Sequence, residues 1–136
     1  MTFSDAFQSL GYKLESPRTD WSAEADHGVC LSLWRSEIQW KPSLWMDTRQ
    51  HCGVVELWNP AGNNKRKRHL AIAMAKFDGW IDVVIVTGEP GKGISNSAVK
   101  PEPWDVDARG KRWRLEDVDL VAGHFTVRAL DPVDIA

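Results

Sequence analysis

Two sets of side chains in this 136-residue chain have types and spacing that could do chemistry: four consecutive cations, Lys65-Arg66-Lys67-Arg68, and eight tryptophans. Cations in the first turn of a helix oppose the macrodipole, which favours Asp or Glu there. An anion reverses that penalty, because the exposed backbone N–H groups and four positive side chains would converge on a phosphate. Lys65, Arg66, Lys67 and Arg68 are therefore the candidate phosphate-binding residues. The same run also reads as a solvated polar face or a nuclear-localisation-type stretch.

An indole offers a flat apolar face with one polar edge. It can stack on a nucleic-acid base, contributing about 1–3 kcal/mol, or cage a quaternary ammonium. Trp34, Trp58 and Trp80 begin or end apolar strand patterns, and Trp113 lies within one, so these four are assigned to the core or the sheet rim. Trp21, Trp40, Trp45 and Trp104 sit in polar or proline-containing stretches, where a large ring is harder to explain as packing. Loops on a rigid scaffold commonly carry recognition residues. Those four are the candidate base- or ligand-stacking residues.

No motif names a reaction. Gly88-Glu89-Pro90-Gly91-Lys92-Gly93-Ile94-Ser95 follows a strand pattern but lacks the G-x-x-x-x-G-K-[ST] spacing of a phosphate loop. Cys30, His51, Cys52 and His69 are zinc-ligand types without C-x-x-C or H-x-x-x-H spacing. No cofactor is implied and no catalytic residue is assigned. Glu37, Asp47, His51, Glu56 and His124 are scattered along the chain. An enzyme reading places Glu37, Asp47 or His51 as acid–base groups in a cleft between loops 37–52 and 88–103. A third reading is a protein-interaction adaptor whose exposed tryptophans form a hot-spot patch.

Charge is concentrated rather than spread. Lys plus Arg is 17 and Asp plus Glu is 19, and without the four-residue run the balance is 13 − 19 = −6. A second cluster comprises Arg109, Lys111, Arg112 and Arg114. This polarity favours an anionic partner at one site, DNA or RNA, over general stickiness. No apolar run approaches the ~20 residues of a membrane span, so no membrane partner is expected. Met1 to Leu10 contains Asp5 and lacks the pattern of a signal peptide. With only Cys30 and Cys52, a reducing cytoplasm is the expected setting.

The elements that must position these residues are readable in outline, and the length suits a single domain, 1–136. Ser4 to Leu10 reads as a short helix capped by Thr2 or Ser4 and stopped by Gly11. Pro17 to Gly28 reads as loop, Val29 to Trp34 as a strand, and Glu37 to Cys52 as a long structured loop. Gly53 to Trp58 reads as a second strand and Asn59-Pro60-Ala61-Gly62 as a turn. A helix is predicted from Asn64 to Asp78, with Asn63 as N-cap, Gly79 as stop, and Leu70, Ala73, Met74 and Phe77 facing a core. Trp80 to Thr87 is apolar on both faces and hence a central strand. Gly88 to Pro103 reads as a loop, and Lys111 to Leu115 and His124 to Leu130 as strands. Arg112 and Arg114 should share the face opposite Trp113 and Leu115. This order predicts an α+β fold: a small, curved, mostly antiparallel sheet or barrel with two or three helices.

The stretch Asn63-x-x-Arg66-x-x-x-Leu70-x-x-Ala73, followed by Gly79 and the strand to Val86, resembles the central part of the PUA-like superfamily, in its EVE and YTH branch. Asp107-x-x-x-x-Arg112-Trp113, followed by Val118-Asp119-Leu120-Val121, resembles the segment of that branch in which an Arg-Trp pair precedes a strand. The resemblance covers about half the chain. It does not extend to the Trp34-to-Trp58 region, so no cage residues carry over. It implies a small twisted β-barrel decorated by helices, and binding of DNA or RNA with a modified base in an aromatic pocket. The leading expectation is a nucleic-acid-binding domain that reads modified bases, without catalysis.

Overall fold

A computed structural model describes residues 1–16, 19–51, 60–88 and 100–131, with the side chain of His51 outside that set. The chain opens with helix α1, Phe3–Ser9. Thr2 caps it through a reciprocal box: Asp5 N donates to Thr2 Oγ1 (3.1 Å) and Thr2 N donates to Asp5 Oδ2 (3.0 Å). Gly11 ends the turn that follows, at φ +88°. Phe3, Ala6 and Phe7, at i, i+3 and i+4, form the buried face.

Three segments expected as loop contain strands: Pro17 to Gly28, Glu37 to Cys52 and Gly88 to Pro103. Strand β1, Ser22–Ala25, pairs antiparallel with β2, Gly28–Trp34, across a tight turn at Asp26-His27. Ser-Ala-Glu-Ala has little strand propensity of its own; cross-strand pairing with β2 imposes the conformation. Within 37–52 lie strand β3, Trp45–Asp47, and a single helical turn, α2, Thr48–His51. The strand expected at Gly53 to Trp58 falls outside the described residues.

Helix α3 spans Pro60–Lys76, starting four residues before the predicted Asn64. Pro60, Ala61 and Gly62, expected in a turn, instead open the helix, where proline's missing N–H costs nothing. Asn63 is therefore inside the helix rather than its cap, and its Nδ2 donates to the Ala122 carbonyl at 3.1 Å. Asp78 and Gly79 both take positive φ, and Gly79 N returns to the Ala73 carbonyl at 2.9 Å. The helix thus ends at Lys76, two residues before the predicted Asp78, and Asp78 takes the left-handed C′ position expected of Gly79, which follows it. Of the predicted stripe, Leu70 and Ala73 are buried and Phe77 packs on the core, but Met74 is 42% exposed. Gly62, Arg66 and His69 complete the buried face instead.

Strand β4, Trp80–Thr87, lies parallel to β2 and at the centre of the sheet. Strand β5, Lys100–Pro103, joins β4 as an antiparallel edge, where its two prolines are tolerated. A single turn, α4, Val106–Arg109, leads into β6, Arg112–Val118, and β7, Phe125–Leu130. The strand order is β1-β2-β4-β6-β7-β3, with β5 branching from β4. The protein is α+β; among the described residues there are an open, mostly antiparallel seven-stranded sheet and four α-helices, two of them only four residues long.

The sheet has a core on each face. On the inner face Val29, Leu31, Leu33, Ile81, Val83, Trp113 and Val127 pack with Leu70 and Ala73 of α3. On the outer face Cys30, Val84 and Val86 pack with Phe3 and Phe7 of α1. The described helices include none long and apolar enough to cross a membrane.

Candidate functional site

The four consecutive cations do not converge. Successive helical residues turn by about 100°, so four in a row fan around the axis. Because α3 begins at Pro60, the run lies in its second turn, away from the exposed N–H groups. Lys65 Nζ meets the buried Asp20 carboxylate at 2.9 Å. Arg66 is buried, with its guanidinium 4.7 Å from the Trp21 ring and 5.0 Å from that of Phe125. Lys67 Nζ donates to the Val121 carbonyl at 3.2 Å, and Arg68 faces Glu15 at 3.5 Å and Glu24 at 3.9 Å. Each cation ties α3 to a different neighbour.

Three of the four candidate stacking tryptophans are engaged in packing. Trp104, expected in a loop, is 3% exposed; it meets Trp113 edge-on at 5.3 Å and donates from Nε1 to the Lys111 carbonyl at 2.9 Å. The strand β5 and turn α4 fold this ring into the core. Trp21 lies between Arg66 and the first turn of α3, where Gly62 allows close approach. Trp40 packs on the inner core with Arg35 stacked 4.4 Å above it, and its Nε1 donates to the Arg35 carbonyl at 3.3 Å. Trp45 on β3 is half-exposed, as Trp21 and Trp40 are, but it belongs to neither core cluster.

The register of the sheet places Trp45 in company. Trp80 on β4 lies opposite Arg114 on β6, Arg114 opposite Arg128 on β7, and Arg128 opposite Trp45 on β3. Directly opposed residues project to the same face. Their neighbours Ile81, Trp113, Val127 and Met46 are buried, which puts the row Trp80–Arg114–Arg128–Trp45 on the outer face. All four side chains are half-exposed. Arg112, two residues from Arg114 and on the same face, lies 5.9 Å from the Trp80 ring, and Arg114 lies 5.5 Å from it.

Neighbouring groups hold these guanidinium planes. Arg114 donates from Nη2 to Asp78 Oδ2 and from Nε to the Asp78 carbonyl, both at 2.9 Å. Arg128 donates from Nε to Glu116 and from Nη1 to Ser43 Oγ at 3.0 Å. Arg112 makes no salt bridge among the described residues. The alternation of Arg112 and Arg114 against Trp113 and Leu115 was legible in the sequence. Their alignment with two indoles was not, because it depends on pairing between strands distant in the chain.

Beside this face a cavity of about 420 Å³ opens where β4 passes from β6 to β5, lined by Leu10, Asp82, Pro103, Trp104 and Asp105. Tyr12 Oη donates to Asp82 Oδ2 at 2.6 Å. Burial, and then that carboxylate, push the Tyr12 phenol far above its ordinary range. Burial likewise raises the Cys30 thiol. Neither group ionises near neutral pH, so neither is an activated nucleophile.

One constellation resembles nucleophilic machinery by residue type alone. Ser22 Oγ lies 2.6 Å from His69 Nδ1, and Glu24 Oε1 lies 3.9 Å from His69 Nε2. A proton on Nε2 would face Glu24 and leave Nδ1 to accept from the Ser22 hydroxyl. Both Ser22 and His69 are 1% exposed, so no substrate reaches them. The trio pins α3 to β1. Of the acid–base candidates, Glu37 is buried at 4% exposure, and Asp47 Oδ1 accepts from Arg49 N at 2.9 Å. The His51 side chain and residues 89–99 of the expected cleft lie outside the described set.

Comparisons with protein-family models, curated proteins and solved structures found no match.

Proposed function

We propose that this protein binds nucleic acid on the outer face of β4, β6, β7 and β3. The observation that carries the reading is the row of two indoles and two guanidinium groups in register across four strands, with Arg112 beside it. Indoles and guanidinium planes both stack on bases, and arginine also contacts phosphate. The PUA-like resemblance supports the same class of ligand and extends it to a modified base. The site thereby moves from the basic helix to the sheet, keeping Trp45 of the candidate phosphate-binding and stacking residues and taking Arg112 and Arg114 from the second basic cluster.

Fluorescence anisotropy with labelled DNA and RNA oligonucleotides tests it. Affinity should fall steeply between 50 and 200 mM salt, and Arg112→Ala should reduce the slope by about 0.7–0.9. Trp80→Ala should weaken binding by roughly five- to hundredfold, the loss of one stacked base. Absence of binding to every oligonucleotide at low salt would refute the reading. Trp and Arg also dominate protein hot spots. Salt-insensitive capture of a protein by this face would favour the adaptor.

A further inference from the structure

We infer that the ligand of this face is one unstacked strand of nucleic acid, laid across β4, β6, β7 and β3 at about one nucleotide per β-strand. The inference rests on the nucleic-acid reading above and adds the form and length of the ligand.

The spacing carries it. Trp80, Arg114, Arg128 and Trp45 are successive direct partners, so each planar group is one strand step from the next. Strands in a sheet lie about 4.8 Å apart, which sets Trp80 and Trp45 about 14 Å apart along the row. Stacked nucleotides advance only about 3.4 Å. A stacked run therefore slips by about 1.4 Å per step against the side chains, and by the third step it is more than one base out of register. A strand drawn out to the strand spacing loses its own stacking and regains it on the protein, one base on each plane. A duplex cannot do this, because its bases are paired and face inward and only its phosphates reach the surface.

The supporting bonds fit the same geometry. Asp78 fixes the Arg114 guanidinium with two bonds, and Ser43 with Glu116 fixes that of Arg128. Planes held before binding lose less side-chain freedom on binding. Indoles at the two ends and guanidinium groups between them place the strongest stacking at the first and last nucleotides. Arg112 lies beside the row, where a backbone phosphate would pass.

The test uses fluorescein-labelled oligo-dT of two, three, four, five, six and eight nucleotides, with a twelve-base-pair duplex as comparison, read by anisotropy at 50 mM salt. Affinity should rise roughly tenfold per nucleotide up to four and only gradually beyond. The duplex should bind more weakly than the four-mer. Trp45→Ala should move the break to three nucleotides, whereas Trp45→Phe should leave it at four. Arg114→Lys keeps the charge without the planar fork and should weaken the four-mer with little change in salt slope; it serves if Trp45→Ala does not fold. Equal binding of the duplex, or a length profile that Trp45→Ala leaves unchanged, would overturn the inference. Failure of every probe to bind would overturn the nucleic-acid reading and this inference with it.

Discussion

Replacing Gly62 by alanine sets two effects of opposite sign against each other. Alanine is the better helix former, by at most about 1 kcal/mol. Against this, a methyl group on Gly62 would lie 2.5 Å from Trp21 Cε2, 2.7 Å from Trp21 Nε1 and 2.7 Å from the Thr19 carbonyl oxygen. Ordinary carbon–carbon contact is about 3.5–4.0 Å, so the overlap is roughly 1 Å. Neither neighbour can retreat easily. The indole is covered by the Arg66 guanidinium at 4.7 Å, and Thr19 belongs to a backbone turn bonded to the Ser16 carbonyl at 3.0 Å. Overpacking of this kind costs about 1–3 kcal/mol, so Gly62→Ala should destabilise the fold by about 1–2 kcal/mol net. For a chain of this size that lowers Tm by roughly 3–10 °C. Urea unfolding followed by tryptophan fluorescence, with a parallel circular-dichroism melt, measures it. An unchanged or raised Tm would refute the close seating of Trp21 against the first turn of α3. Adding Trp21→Leu should recover part of the loss, because the two sites share one contact.

Three further outcomes test the scaffold. Burial, opposed by Glu24, pushes the His69 imidazole below its ordinary value of about 6.5. The unfolded chain then takes up the proton first, so this contribution to stability is complete above that value and is lost as pH falls toward the depressed one. Urea midpoints between pH 7.5 and 5 should therefore fall more for the wild type than for His69→Gln; parallel profiles would refute a buried neutral imidazole. Thr2→Ala removes the bond from Asp5 N to Thr2 Oγ1 while keeping the backbone donor to Asp5 Oδ2, and should cost about 1 kcal/mol, read as a lower urea midpoint at unchanged slope. Leu70→Ala, beneath α3 in the inner core, should cost about 2–5 kcal/mol, and a loss under 1 kcal/mol would argue against its full burial.

Local signals proved legible where one segment carried the whole pattern. Thr2, one of the two caps read for the first helix, does cap α1, and α3 ends where the apolar period breaks, in the left-handed pair Asp78-Gly79. The double-faced apolar run from Trp80 to Thr87 marked a central strand, and β4 has neighbours on both sides. Legibility ended where partners are remote. Ser22–Ala25 carries no strand signal because β2 supplies its order. Trp104 looked exposed because its neighbours are prolines and aspartates; the cover that buries it, Trp113, comes from β6. Four adjacent cations looked like one site, yet helical geometry points them at Asp20, Trp21, Val121 and Glu15.

The sequence by itself determined the α+β class, the central strand, the long helix and the alternation that sends Arg112 and Arg114 to one side of β6 with Trp113 on the other. These follow from periodicity and caps, which act over a few residues. Only the tertiary structure decided which tryptophans fall in one row across the sheet and which arginines stand beside them. That choice depends on strand register, a contact between segments such as Trp45 and Arg128 that lie far apart in the chain, and no local pattern encodes it.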